Sequence, residues 1–92
     1  MRVTILGKRW RLRMVKMPKF WGRVDLPNVK HKEMHIDPRH TSGAELMDTV
    51  LHECLHCALP EWQEPHIDQL AKDLTAILQK IGYRLPVEHD AE

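Results

Sequence analysis

The stretch Leu51-His52-Glu53-Cys54-Leu55-His56-Cys57 contains the pattern H-E-x-x-H at His52, Glu53 and His56. On an α-helix, residues four apart lie one turn apart on the same face, so two imidazoles at this spacing can reach one metal ion. The Glu between them sits about 100° round from the first His, where its carboxylate can reach a metal-bound water without being a ligand. A zinc ion (Zn2+) held by two His and one further protein ligand keeps an open position for a water, whose pKa falls to about 7. Glu53 is expected to accept that water's proton and later return it to the leaving group. The competing reading is an exposed helix face that happens to carry two unrelated histidines.

The pattern has this meaning only inside a helix with an apolar opposite face, and the neighbouring residues supply one. Leu46, Met47, Val50, Leu51, Leu55 and Ala58 recur at helical spacing. Ser42-Gly43-Ala44-Glu45 reads as a capping box, with Ser42 as N-cap and Glu45 reaching back. Pro60 ends the element, so the helix is expected over 42–59. A third ligand must come from elsewhere, and the next segment offers Glu61, Glu64 and His66. Ile67, Leu70, Ala71, Leu74, Ile77, Leu78 and Ile81 form the stripe of a second helix over 64–82, stopped by Gly82. Glu64 shares the inward face at the start of that helix. Pro65 suits the first helical position, which makes Glu64 the N-cap. Glu64 is the favoured ligand, ahead of His66 and then Glu61.

Two cysteines, Cys54 and Cys57, stand at C-x-x-C spacing. Cys54 falls about 180° from the bisector of the two histidines on a helical wheel. Both read as small core residues rather than ligands, and a disulfide within one helical turn is poor geometry. The alternative is a closed structural zinc site completed by Cys57.

Taken together, these residues resemble the minimal zincin metallopeptidases of the gluzincin type (minigluzincins), especially short phage and prophage proteins. The likeness runs through Ile5-Leu6-Gly7-Lys8-Arg9-Trp10-Arg11-Leu12, Gly22-x-x-Asp25-x-Pro27 and Met34-His35-Ile36-Asp37. It continues through Leu46 to His56, Glu64, Leu70-Ala71 and Ile81-Gly82-Tyr83-Arg84. Only H-E-x-x-H is sharply diagnostic. The resemblance implies a zinc metallopeptidase with His52, His56 and an acidic residue as ligands, Glu53 as general base, and a peptide or protein as substrate. It departs at Glu64-Pro65, where relatives carry two acidic residues. It also implies that the strand before the metal helix is the sheet edge, to which an extended substrate adds by backbone hydrogen bonds. That would make Glu33 to Ile36 the peptide-binding edge, with His35 facing cleft or solvent. Tyr83-Arg84 becomes a candidate for stabilising a developing oxyanion, against the plainer role of packing beside Gly82.

The rest of the chain must build a scaffold for that helix pair. Ninety-two residues, 42% of them hydrophobic, make a single small globular domain over 1–92. Val3 to Leu6 and Arg9 to Val15 alternate apolar and basic residues around Gly7-Lys8, a β-hairpin with a two-residue turn. Lys16 to Lys30 reads as a loop carrying a short strand at Trp21-Gly22-Arg23-Val24. Lys32 to Asp37 alternates again, closed by Pro38. The expected fold is α+β: a small, twisted, three- to four-stranded sheet packed on two helices, with the metal helix between the sheet and the second helix. Residues 85–92, with Pro86 and three acids, read as a frayed tail whose removal would raise activity if it holds the enzyme latent. Asp48, one turn before His52, reads as an acceptor orienting that imidazole or as a solvated residue.

Charge is close to balanced overall but uneven along the chain. Residues 1–32 hold ten Lys and Arg against one acid, Asp25, and the remaining sixty hold four against twelve. A basic, β-rich first part (1–40) suits either the solvated face of a sheet or contact with nucleic acid. The second functional reading follows from it: a zinc-binding module with weak or no turnover, a phage regulatory or nucleic-acid-associated protein, whose DNA binding would survive Glu53→Gln. No apolar run approaches a membrane span, and the start Met-Arg-Val-Thr-Ile-Leu-Gly does not read as a signal peptide. The expected location is therefore cytoplasmic (that of the host, for a phage protein), with no membrane partner.

Overall fold

A computed structural model describes residues 1–40 and 42–86. Four strands and two helices follow one another: β1 (Arg2–Ile5), β2 (Lys8–Met14), β3 (Gly22–Val24), β4 (Glu33–Ile36), α1 (Gly43–Ala58) and α2 (Glu64–Lys80). This is the expected α+β class. The alternation in the first two strands sets the two sheet faces: Val3, Ile5, Trp10 and Leu12 turn inward, while Arg2, Arg9, Arg11 and Arg13 are exposed. The hairpin turn is Leu6-Gly7, one residue earlier than the spacing suggests, with Ile5 paired to Lys8. Both turn residues have positive φ, 49° and 77°, as a two-residue turn matched to strand twist requires. Glycine accepts that conformation freely, and Leu6 does so at some strain.

The sheet order is β1-β2-β4-β3. β4 runs parallel to β2 and antiparallel to β3, so the expectation that Glu33 to Ile36 forms the sheet edge is overturned. The reason is the loop before β4. Asp25 ties its two ends together, donating its backbone N–H to the Glu33 carbonyl and accepting from the Glu33 N–H through Oδ2, 2.9 and 2.8 Å. That closure folds β3 back on the outer side of β4, and β3 becomes the edge.

Trp10, Met34, Ile36, Leu46 and Cys57 form the core between the sheet and α1. Trp10 is 1% exposed, and its indole N–H donates to the Asp25 carbonyl at 3.2 Å. Truncating an aromatic buried this deeply costs about 3–5 kcal/mol. At the end of β4, the buried Asp37 carboxylate takes both the Nε and Nη2 of Arg39, at 3.0 and 2.8 Å, and the Met17 backbone N–H at 2.8 Å. These bonds fix the chain leaving β2 and the approach to α1.

α1 starts where the capping box places it: the Ser42 hydroxyl accepts from the Glu45 N–H at 3.2 Å. α2 starts differently. Gln63 is its N-cap, Glu64 its first residue and Pro65 the next, so Glu64 is not the cap. Among the described residues α2 packs on α1 and on no strand, which leaves α1 between the sheet and α2, as expected. With one neighbour, α2 buries a narrow stripe of Ile67, Ala71 and Thr75. Ile77 and Ile81, expected inside, are 55% and 66% exposed. Residues 87–92, most of the expected tail, lie outside the described residues.

Candidate metal centre

His52 and His56 project from the middle and last turns of α1, and Glu64 reaches them from the first turn of α2. The Nε2 atoms of the two histidines are 3.1 Å apart. Glu64 spans both: Oε1 lies 2.6 Å from His52 Nε2, and Oε2 lies 3.0 Å from His56 Nε2. These donors form the single cluster among the described residues with the make-up and spacing of a metal site. Donors at about 2.0–2.2 Å from one zinc ion stand about 3.3 Å apart on a tetrahedron. The histidine pair is already close to that. Glu64 needs only a small outward rotation, and its side chain is free to make it at 63% exposure. Two imidazoles and a carboxylate, without thiolates, also suit zinc with an open position. The donor set fits the ion.

Glu53 lies against Gly22 of β3, lines the same cleft as the two histidines and Glu64, and is 8% exposed. Burial pushes its carboxyl up from the usual range; the neighbouring His52 pulls it back and the charge of Glu64 raises it further. A carboxylate so placed holds protons more readily than one in water, which suits a general base. Its seat depends on Gly22. A Cβ at that position would come within 2.7 Å of Glu53 Oε2 and 2.8 Å of its Cγ. Only glycine lets the β3 backbone lie against the carboxylate.

An open cleft of about 480 Å³ joins these groups, lined by Phe20, Trp21, Gly22, Asp48, Thr49, His52, Glu53, His56, Glu64 and Asp68. Its aromatic wall is fixed from behind, since Trp21 packs on the buried His40 ring with centroids 4.4 Å apart. The cleft thus borders the free edge of β3 rather than β4. His35 is on the opposite sheet face, where its Nε2 meets Glu33 Oε1 at 2.7 Å.

The remaining expected residues separate cleanly. His66 and Glu61 are not in the cluster; both line a different hollow, and His66 stands edge-on to Trp62 with centroids 6.4 Å apart. Cys57 is in the core and Cys54 packs against it, and burial pushes the Cys57 thiol up to about 12. Neither completes the site. Arg84 donates to the carbonyls of Gln79 and Tyr83, closing the far end of α2, about 20 Å along its axis from Asp68. Tyr83-Arg84 is therefore not brought to the cleft.

Asp48 lines the cleft, with Oδ2 3.8 Å from Lys72 Nζ. The acid facing the outer nitrogen of His52 is instead Asp68, whose Oδ1 lies 3.9 Å from Nδ1 and 2.6 Å from Lys72 Nζ. The 3.9 Å separation is longer than a hydrogen bond, so Asp68 and His52 meet through charge alone. Sequence reading missed Asp68, although its spacing of four from Glu64 puts it one turn on, on the same face.

Searches against protein-family models, curated proteins and solved structures find no match to this chain.

Proposed function

We propose that this protein is a zinc-dependent peptidase of minimal zincin design. The observation that carries the reading is the meeting of His52, His56 and Glu64 from two helices, beside a buried carboxylate, Glu53, in one cleft. When bound, zinc supplies a Lewis acid and acidifies a water at its open position.

The chain's own residues do the rest. Glu53 accepts a proton from the attacking water as its oxygen bonds to the peptide carbonyl carbon. It then returns that proton to the amide nitrogen as the C–N bond breaks, so no net proton is gained or lost. The exposed edge of β3 offers unpaired backbone groups to an extended substrate. Because Gly22 lies against Glu53, a peptide paired along that edge passes its carbonyl close to the base. Phe20 and Trp21 give the cleft an apolar wall for a substrate side chain.

The test is hydrolysis of a quenched-fluorescence peptide library by the zinc-loaded protein and by Glu53→Gln. Turnover that falls by at least about a hundredfold in the variant, with zinc retained, supports the reading. Equal turnover in both, or none in either across the library, removes it.

A further inference from the structure

Five of the eight strand positions on the outward face of the sheet are arginine. Its strand positions are Arg2 and Thr4 on β1, Arg9, Arg11 and Arg13 on β2, Arg23 on β3, and Glu33 and His35 on β4. Among the described residues no helix covers this face. Arg13 and Arg23 have acidic neighbours, Glu33 at 4.0 Å and Asp25 at 3.2 Å. Arg2, Arg9 and Arg11 have no acidic group within ion-pair distance among the described residues, and Arg2 is paired directly with Arg11 across the strands. Like charges placed opposite one another destabilise a sheet, and Glu33, the acid opposite Arg11 on β4, is shared with Arg13 and His35. The same corner is concave: Arg2, Arg9, Arg11, His31, Lys32 and Glu33 line a hollow of about 550 Å³.

We infer that this face is a docking surface for the phosphodiester backbone of a nucleic acid. Four features select that partner. Arg9, Arg11 and Arg13 recur two residues apart on one strand, about 7 Å per step, so the cations repeat and call for a repeating anion rather than a single one. Every cation at an outward strand position is Arg, while Lys19, Lys30 and Lys32 stand in loops, Lys32 at the rim of the hollow. The guanidinium fork pairs with phosphate oxygens two at a time and stacks on bases, which lysine does not do. No outward strand position is apolar, so the face has nothing to insert into a lipid surface. Finally, the opposite sign gathers elsewhere: Asp48, Glu53, Glu64 and Asp68 border the cleft, which turns a polyanion away from the metal site and towards the sheet. The face and the cleft lie on different sides of the molecule, so this binding is independent of the peptidase reading.

The experiment is fluorescence anisotropy of the full chain with labelled 20-nucleotide single-stranded DNA, single-stranded RNA and duplex DNA across a salt series. Binding is expected at low salt. Three arginines on phosphates give a slope of log affinity against log salt of about −2 for a single strand and about −3 for a duplex. The double variant Arg9→Glu, Arg11→Glu should weaken binding by about tenfold or more. The milder Arg11→Gln should weaken it by a few fold and reduce the slope by about one. Lys19→Glu with Lys80→Glu, the same change in net charge off this face, should leave it within about twofold. The relative affinities for the three probes identify the kind of nucleic acid. Absence of binding at low salt, equal loss in the control pair, or equal affinity for polyglutamate or for anionic lipid vesicles would overturn the inference.

Discussion

Gly22 and Glu53 lie against each other at the cleft: a single methyl group on Gly22 would stand 2.7 Å from the Glu53 carboxylate. One edge strand therefore sets the position of the Glu53 carboxylate, and in the proposed peptidase it would also receive an extended peptide. Gly22→Ala must displace Glu53 or the strand. The expected outcome is a loss of about 1–3 kcal/mol in stability, as for other overpacked sites, with zinc still bound and peptide turnover down by at least about tenfold. Thermal unfolding, zinc content and turnover of the one variant check the three parts.

Asp68 stands beside His52 without belonging to the donor cluster. Its carboxylate sits between His52 Nδ1 and Lys72 Nζ. Asp68→Ala should weaken zinc binding by up to about tenfold, since it removes a charge beside His52 but no hydrogen bond to it. Competition against a chromogenic chelator measures it. An unchanged affinity would mean that Asp68 serves only Lys72.

Acid should unfold the protein partly through Asp37. The Arg39 guanidinium, with the backbone N–H groups of Met17 and Arg39, holds its carboxyl well below the usual carboxylate range despite the opposing effect of burial. A carboxyl depressed in the folded state stabilises it fully above its unfolded pKa of about 3.9, and that contribution is lost as pH falls. Asp37→Asn should cost about 3 kcal/mol at neutral pH, because Arg39 loses its charged partner. It should also flatten the fall in stability below about pH 4. Denaturant titrations at several pH values would show both effects, and an unchanged acid limb would rule the role out.

The thiols should stay out of the metal chemistry. With Cys57 in the core and pushed up to about 12, disulfide reagents should label it at an appreciable rate only on unfolding. Cobalt substituted into the site should show no intense thiolate charge-transfer band. Such a band, lost in Cys57→Ser, would instead establish the closed structural site.

Much of the site was legible because its information is local. The i, i+4 spacing placed His52 and His56 on one helix face, and Ser42 marked where that helix begins. Glu64 was legible for the same reason, as an acid on the inward face at the start of the next stripe. What was not legible depends on partners distant in sequence. Nothing in Glu33 to Ile36 itself tells which strands flank it; the position of β3 is decided by the Asp25 closure. Ile77 and Ile81 fit the stripe of α2, yet only one neighbouring helix exists to cover it, so they remain outside. Asp68 shares the face of Glu64 one turn on, but its meeting with His52 depends on how α2 is rotated against α1.

Metal content measured by mass spectrometry, on the native protein and on His52→Ala, Glu64→Ala, His66→Ala and Glu53→Gln, tests the centre most directly. One zinc per chain is expected in the native protein, His66→Ala and Glu53→Gln, and none is expected in His52→Ala or Glu64→Ala. A native protein that takes up no zinc from a zinc-containing buffer, or zinc retained without Glu64, would contradict the site described here.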